Sequence, residues 1–417
     1  MGASMKRRVI FTSSLGNIFD AYDANLYAIF AVTLAPIFFP SADQRLSLLN
    51  SLVMFMISYM ARPAGAVLFG YLGDKMGRKK ALSLSLLGMA IPTLVIGVLP
   101  AASYIGIWAP IILSVCRIMQ GMSSGGELNG AMIFCAEHFP QNQTGRVIGF
   151  ISATGVLGVL LAMSVAAIVT SPPWPDGSWR LAFVFGALIC FIGASIRHFL
   201  EETPEYKAIQ KTSKIVIMPL KSILQDYKSA FVLCFFKGAL TAGLSFTLYV
   251  YLPLILRTVF SIPQQKTFMY GLVGLTAYMA FCYVGGVVFD KCPNHKPLVW
   301  GVRANIICCP FALYIFQSAT PLLFSVGLLI FGALTGFIAG SGYPFLQRLF
   351  PVSARYTGIS FGFTLGGACL GSVGPLAMVW ADRFVGRFWS PMIFLGGLSV
   401  VFFVAEKLSR KGRKYFH

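Results

Sequence analysis

Apolar stretches of roughly 20 residues or more, broken by short polar turns, recur along the whole chain. Twelve stand out, near 10–38, 47–73, 81–101, 106–135, 145–170, 180–199, 230–256, 268–290, 297–317, 321–346, 354–380 and 388–406. A helix crossing a hydrocarbon core about 30 Å thick needs about 20 residues, so each run suffices for one crossing. The pattern therefore predicts an all-α membrane protein of twelve transmembrane helices. Its widest polar interval, from Arg197 to Ser229, separates six runs from six. The expected organisation is an N-terminal six-helix bundle over 1–199, a cytoplasmic linker loop over 200–229 and a C-terminal six-helix bundle with a short basic tail over 230–417.

Composition agrees, with 57% hydrophobic and 11% charged residues among 417 and a mean hydropathy of +0.75. A net charge of +19 raises the question of nucleic acid, and the positions of the bases answer it. Twenty-three of the 33 lysines and arginines lie at the N-terminus, in the even-numbered loops and in the tail, against 6 in the odd-numbered loops. The first group runs from Lys6, Arg7 and Arg8 through the Arg197 to Lys228 interval to Arg413 and Lys414. This asymmetry places both termini in the cytoplasm by the positive-inside rule and makes the lipid bilayer, rather than nucleic acid, the partner. The nine cysteines are scattered, with no C-x-x-C pair and no histidine clustering, so neither a metal nor a cofactor is expected. The first run is long, carries Asp20 and Asp23 and lacks a small-residue cleavage site, which reads as a first span rather than a signal peptide.

The chain repeats itself. Gly70-Tyr-Leu-Gly-Asp74-Lys-Met-Gly77-Arg78-Lys-Lys80 follows the second run, and Gly286-Val-Val-Phe-Asp290-Lys291 stands 216 residues further on, after the eighth. A weaker echo pairs Glu137-His-Phe-Pro140 with Arg348-Leu-Phe-Pro351. Two pseudo-symmetric halves are a recurring design of secondary transporters.

The Gly70 to Lys80 segment closely resembles the G-x-x-x-D-x-x-G-R-[KR]-[KR] signature of the major facilitator superfamily. Further segments resemble its metabolite:proton symporter branch, the group of proline/betaine and oxoglutarate carriers: Arg62-Pro63 with Gly65, Arg117-x-x-Gln120-Gly121 with Gly125-Gly126-Glu127, Leu200-Glu-Glu-Thr-Pro-Glu205, and Phe350-Pro351 with Arg355-Tyr-Thr-Gly358. In the first span Asp20-Ala-Tyr-Asp23-Ala24 stands where that branch usually reads E-W-[YF]-D-F. The resemblance implies the major facilitator fold, a bacterial inner membrane, and a gate at the cytoplasmic helix ends formed by Gly70, Asp74, Gly77, Arg78 and Asp290. Plain topogenic charge is the alternative for the lysines, although it leaves the Gly and Asp spacing unexplained.

Seven charged residues remain inside spans: Asp20, Asp23, Arg62, Arg117, Glu127, Lys237 and Arg303. Each costs on the order of 3 kcal/mol at mid-depth, so each needs a partner or an aqueous cavity. In the fourth span Arg117, Gln120, Ser124 and Glu127 fall within about 80° of arc at about 100° per residue, one polar stripe. Gly121 and Gly125 form G-x-x-x-G, which admits a close neighbour. The stripe either lines the solute and proton path or forms an internal charge network of the Arg117 and Glu127 type. Asn17, Asp20, Asp23 and Tyr27 share a face of the first span, and Asp20, Asp23 and Glu127 are the candidates for proton coupling. Arg62 is expected to pair with an acid of the first or fourth span. Lys237, with Thr241 and Ser245 on its face, either snorkels, pairs structurally or meets solute. Arg117, Gln120, Tyr22, Tyr27, Lys237, Tyr249 and Tyr343 are the candidate solute contacts, Tyr343 preceding the helix irregularity at Pro344.

The expected function is proton-coupled symport of a small organic solute, an organic anion or a zwitterion of proline or betaine type, by a chain working as a monomer. No Walker segment supplies nucleotide energy, and no nucleophile, metal or dinucleotide pattern suggests an enzyme. A drug/proton antiporter would carry a Gly-Pro element where Gly155-Val-Leu-Gly158 stands, a uniporter would not need buried acids, and a receptor would need a tail longer than the eleven residues after Glu406.

Overall fold

The computed structural model describes residues 3–175, 177–211, 219–292, 296–316 and 320–411. Lys214 of the polar interval, residues 293–295 that continue the Gly286 to Lys291 repeat, and Arg413 and Lys414 of the tail lie outside the described residues. Among the described residues twelve long helices follow one another: α1 Ala3–Phe38, α2 Gln44–Met76, α3 Arg78–Val98, α4 Trp108–Ala136, α5 Thr144–Thr170, α6 Trp179–His198, α7 Lys228–Thr258, α8 Gln264–Lys291, α9 Lys296–Phe316, α10 Pro321–Leu346, α11 Arg355–Val385 and α12 Trp389–Lys411. Eleven are long and apolar enough to cross a bilayer on length and composition. The twelfth, α4, has 29 residues and carries the polar stripe. Two short helices, Pro204–Lys211 and Pro219–Asp226, lie in the polar interval between α6 and α7.

Helices dominate because lipid offers no partners to backbone N–H and C=O groups, and a helix satisfies its own. Two of the twelve are not regular throughout. In α7 the turn Thr247–Tyr251 widens, Leu252 N–H reaching back to the Thr247 carbonyl, just ahead of Pro253. In α11 the turn Gly367–Gly371 widens the same way, Ser372 N–H reaching the Gly367 carbonyl at 2.8 Å, just ahead of Pro375. Each proline lacks the N–H that a regular helix would use there, and the wide turn absorbs the mismatch. Pro344, by contrast, lies in the last turn of α10.

The chain forms two compact units, Met1–Phe134 with Thr154–Ile217, and Cys135–Ala153 with Met218–His417. Within the first, α2 and α4 approach at glycine. A Cβ on Gly121 would lie 1.9 Å from the Ser58 carbonyl oxygen, and one on Gly125 would lie 2.0 Å from that of Arg62. The second unit repeats the device with α8 and α10, where a Cβ on Gly336 or Gly340 would lie 2.2 or 1.9 Å from the carbonyl oxygen of Tyr278 or Cys282. Removing the side chain brings two backbones together, and dispersion across that contact replaces the hydrophobic drive that lipid cannot provide. The aromatic core of the first unit gathers Tyr22, Tyr27, Phe30, Phe38, Trp179 and Phe183 from α1 and α6.

Gly125→Val tests the contact. It should lower the thermal midpoint of the purified protein, overpacking costing about 1–3 kcal/mol or more against rigid backbone. Gly396→Val, where a Cβ meets nothing within 4 Å, should change little. Equal midpoints for the two variants would remove the role given to the G-x-x-x-G face.

Candidate transport site

The first unit brings the acids of α1 and the stripe of α4 together through a side chain of α3. Arg117 is 2% exposed and donates from Nη1 to Gln120 Oε1 at 2.9 Å. Gln120 passes the contact on, its Nε2 donating to Asp23 Oδ1 at 2.9 Å and to Thr93 Oγ1 at 2.8 Å. Thr93 Oγ1 stands 2.6 Å from the same carboxylate oxygen. The amide can be oriented in one way only, because a guanidinium donates and never accepts, so the oxygen faces Arg117 and the nitrogen faces Asp23. The Arg117 guanidinium also lies 4.2 Å from the centre of the Tyr27 ring, whose hydroxyl is held at Ser51. Among the described residues no carboxylate lies within ion-pair distance of Arg117, and its Nε is buried without a hydrogen-bond partner.

Asp20 lies one turn along α1 from Asp23. Its Oδ1 is buried without a hydrogen-bond partner, beside Ser124 and within electrostatic range of Arg62. Arg62 makes no ion pair with an acid of α1 or α4. Its guanidinium rests instead 3.9 Å from the centre of the Tyr59 ring, one turn back on α2. A cation held on an aromatic face keeps its remaining N–H donors available.

Glu127 shares the stripe of Arg117 but does not reach it, because ten residues advance a helix by about 15 Å. The Arg117 and Glu127 network kept as the alternative reading of the stripe is therefore not formed. Fully buried, Glu127 pairs with Arg197 of α6 and accepts from Ser85 of α3 at 2.6 Å. Arg197 also donates to the Leu82 carbonyl at 2.7 Å. Reckoned as a loop base from sequence, Arg197 lies in the last turn of α6 at 3% exposure. The signal was the apolar run continuing past it to Leu200. Asn17 donates to Thr154 at 3.3 Å, and the Tyr22 phenol is spent on the Ala182 carbonyl at 2.8 Å, inside the aromatic core.

At one end of this unit the Gly70 to Lys80 turn is braced from two sides. Asp74 and Arg78 pair one turn apart at 3.4 Å, both buried, and Arg78 Nη1 donates to the Gly73 carbonyl at 2.8 Å. Gly77 adopts φ 105°, a conformation that favours glycine, and lets Glu202 reach the start of α3. Glu202 accepts there from the backbone N–H groups of Arg78 and Lys79, both at 3.1 Å, an anion on a helix N-terminus. Tyr206 stacks beneath Arg78 and donates to the Lys75 carbonyl at 2.7 Å. Thr93, Ser85, Glu202 and Tyr206 had no assigned role in the sequence reading, since their partners come from distant helices.

In the second unit Asp290, at the end of α8, accepts from the N–H groups of Gly145 and Arg146 at 2.7 and 2.9 Å and so caps α5. Glu137 and Arg355 pair at 3.1 Å. Lys237 does not snorkel, and among the described residues it pairs with no acid. It is fully buried, hydrogen-bonded to Thr241, with the Tyr343 and Phe363 ring centres 5.3 and 5.8 Å from its Nζ. The physical reason is its neighbour Gly342, whose missing side chain leaves the space that the lysine stem fills. Tyr249 lies on the widened turn of α7, edge-on to Tyr278 at 6.1 Å.

Residues 14–375 match the family model of the Major Facilitator Superfamily. The chain belongs to the major facilitator superfamily. Among relatives of this major facilitator, the inner membrane metabolite transport protein YhjE of Escherichia coli (strain K12) is 31% identical over 398 residues, 90% of this chain and 88% of that one. The proline/betaine transporter of the same strain is 29% identical over 412 residues, 95% and 81% of the two chains. The solved structure of the proton:xylose symporter XylE shares the fold, with a TM-score of 0.79 at 14% identity over 100% of this chain and 97% of that one. This major facilitator is thus a multi-pass membrane transporter and not an enzyme.

The Glu127 and Arg197 pair should be structural. Arg197→Met leaves a carboxylate buried without its partner, which costs about 3–5 kcal/mol, and adding Glu127→Leu should recover most of the loss. Thermal midpoints of the three purified proteins check this, and a single variant as stable as the parent would contradict it.

Proposed function

We propose that this transporter is a proton-coupled symporter of a small solute bearing a carboxylate, an organic anion or a zwitterion of the proline and betaine type. The observation that carries the proposal is the buried chain from Asp23 through Gln120 to Arg117. An ionised Asp23 supplies the negative charge nearest the guanidinium through that amide. Protonation removes the charge and leaves Arg117 a desolvated cation short of a counter-ion, ready for a charge-assisted bond to an incoming carboxylate. Proton and solute then favour each other's binding. Glu127 is committed to Arg197, so the proposal assigns the proton to Asp23, with Asp20 beside it. The proline/betaine transporter among the relatives is in keeping with a carboxylate-bearing solute. Lys237, Tyr249 and Tyr343 are proposed solute contacts of the second unit. The Asp74 and Asp290 helix-end contacts are proposed as gates that open and close with alternating access.

Reconstituted vesicles test the reading with radiolabelled proline, glycine betaine and 2-oxoglutarate, with and without an inward proton gradient. At least one solute should accumulate above equilibrium only under the gradient. Asp23→Asn should lose accumulation yet keep exchange, whereas Arg117→Ala should lose both. Accumulation by Asp23→Asn equal to that of the parent would put the proton elsewhere.

The proposal also sets both termini and the interval around Gln210 in the cytoplasm of a bacterial inner membrane, following the asymmetry of the bases. A cysteine at position 210, in a chain cleared of its native cysteines, should resist an impermeant thiol reagent added to intact cells. Strong labelling from outside would invert the topology.

A further inference from the structure

Thr93 has one hydroxyl proton and two acceptors within reach. Its Oγ1 lies 2.6 Å from Asp23 Oδ1 and 2.8 Å from the Met89 carbonyl one turn back on α3, and Gln120 Nε2 donates to it at 2.8 Å. A bond to the carbonyl one turn back is ordinary for a helical threonine. The second acceptor, a carboxylate from another helix, is not. A hydroxyl donates once and accepts up to twice, so the two acceptors take turns. At 1% exposure no solvent fills in for the one not served.

The two placements match the two forms of Asp23. An ionised carboxylate only accepts, so Thr93 donates to it while accepting from Gln120. A protonated Asp23 donates its own O–H to Thr93 Oγ1, which then turns its proton to the Met89 carbonyl and still accepts from Gln120. Both arrangements use every donor, and the heavy atoms need not move. Within electrostatic or hydrogen-bond range of Asp23 are Asp20 and Tyr22 from α1, Arg62 from α2, Arg117 and Gln120 from α4, and Cys190 from α6. Only Thr93 and Gln120 hydrogen-bond its carboxyl among the described residues, and Arg117 pins the Gln120 amide. Thr93 is the partner able to reverse.

We infer that Thr93 is a positioning residue for the proton site, a hydroxyl rotor that keeps the Asp23 network satisfied with and without the proton. The inference rests on Asp23 as the proton carrier. Infrared difference spectra between acid and alkaline buffer, on the purified protein in lipid, test it without a transported solute. The carboxyl C=O band of Asp23 is the one lost in Asp23→Asn. In Thr93→Val that band should rise in frequency, and its midpoint should move to higher pH by about one unit or more, because the ionised form loses a charge-assisted donor. Thr93→Ser should restore both, and Thr93→Ala should behave as the valine variant if that one folds poorly. A band and midpoint unchanged in Thr93→Val and Thr93→Ala, or not rescued by serine, would overturn the rotor and leave Asp23 as carrier. Absence of any band lost in Asp23→Asn would overturn both readings.

Discussion

A charge inside a membrane-spanning helix must be neutralised by its own protein, because lipid does nothing for it. This constraint sorts the buried charges into two kinds. Glu127 with Arg197, Asp74 with Arg78 and Glu137 with Arg355 are paired within ion-pair distance, and Asp290 is spent on the first amides of α5. Such groups cost little further and bind elements of one unit together. Arg117, Lys237 and Asp20 are the other kind. Among the described residues the first two are buried cations with no carboxylate in contact, and the third has a buried oxygen without a hydrogen bond. Incomplete compensation is what a site needs if something from outside is to complete it, and it is confined to a few positions.

The helix α4 shows how one element serves both kinds. Its glycine edge lies against α2 near Ser58 and Arg62, where the absent side chains fix the distance between the two backbones. That contact holds the neighbouring polar stripe in place. Arg117 and Gln120 then meet α1 and α3 at one level, and Glu127 meets α3 and α6 nearly three turns away, at about 5.4 Å per turn. Separation along the axis lets a rigid structural pair and an adjustable network share a helix without competing for partners.

Much of this was legible in the sequence. Run length and run count give the helices, since in lipid length and apolarity decide the element with little help from context. The Asp20, Asp23, Arg117 and Gln120 set was legible from helical faces and from the cost of buried charge. Partner choice was not. A face says which way a residue points but not its height against a neighbouring helix, so a network joining Arg117 to Glu127 stood open as an alternative, and the two are not joined. Arg197 was counted with the loop bases although the apolar run continues past it to Leu200. Thr93 carried no charge to draw notice, and its role depends on three helices meeting at one oxygen. The wide turns of α7 and α11 follow from Pro253 and Pro375, a signal that was readable and that Pro344 displaced.

The neutral amide between Asp23 and Arg117 has a physical consequence of its own. In a medium with an effective dielectric constant of about 20, opposite unit charges about 3 Å apart attract by about 5 to 6 kcal/mol, and at about 6 Å by about 3. A direct carboxylate and guanidinium pair would hold both groups tightly, and any third group approaching the guanidinium would have to break it. Interposing Gln120 lengthens the separation and weakens that attraction while keeping a continuous line of hydrogen bonds from Asp23 to Arg117. Glutamine suits the position because its two ends differ, one accepting from the base and the other donating to the acid. A second carboxylate there would neutralise Arg117 outright, and an apolar residue would break the line. The polar side chain that looks least charged in the stripe is the one that sets how strongly the two charges feel each other.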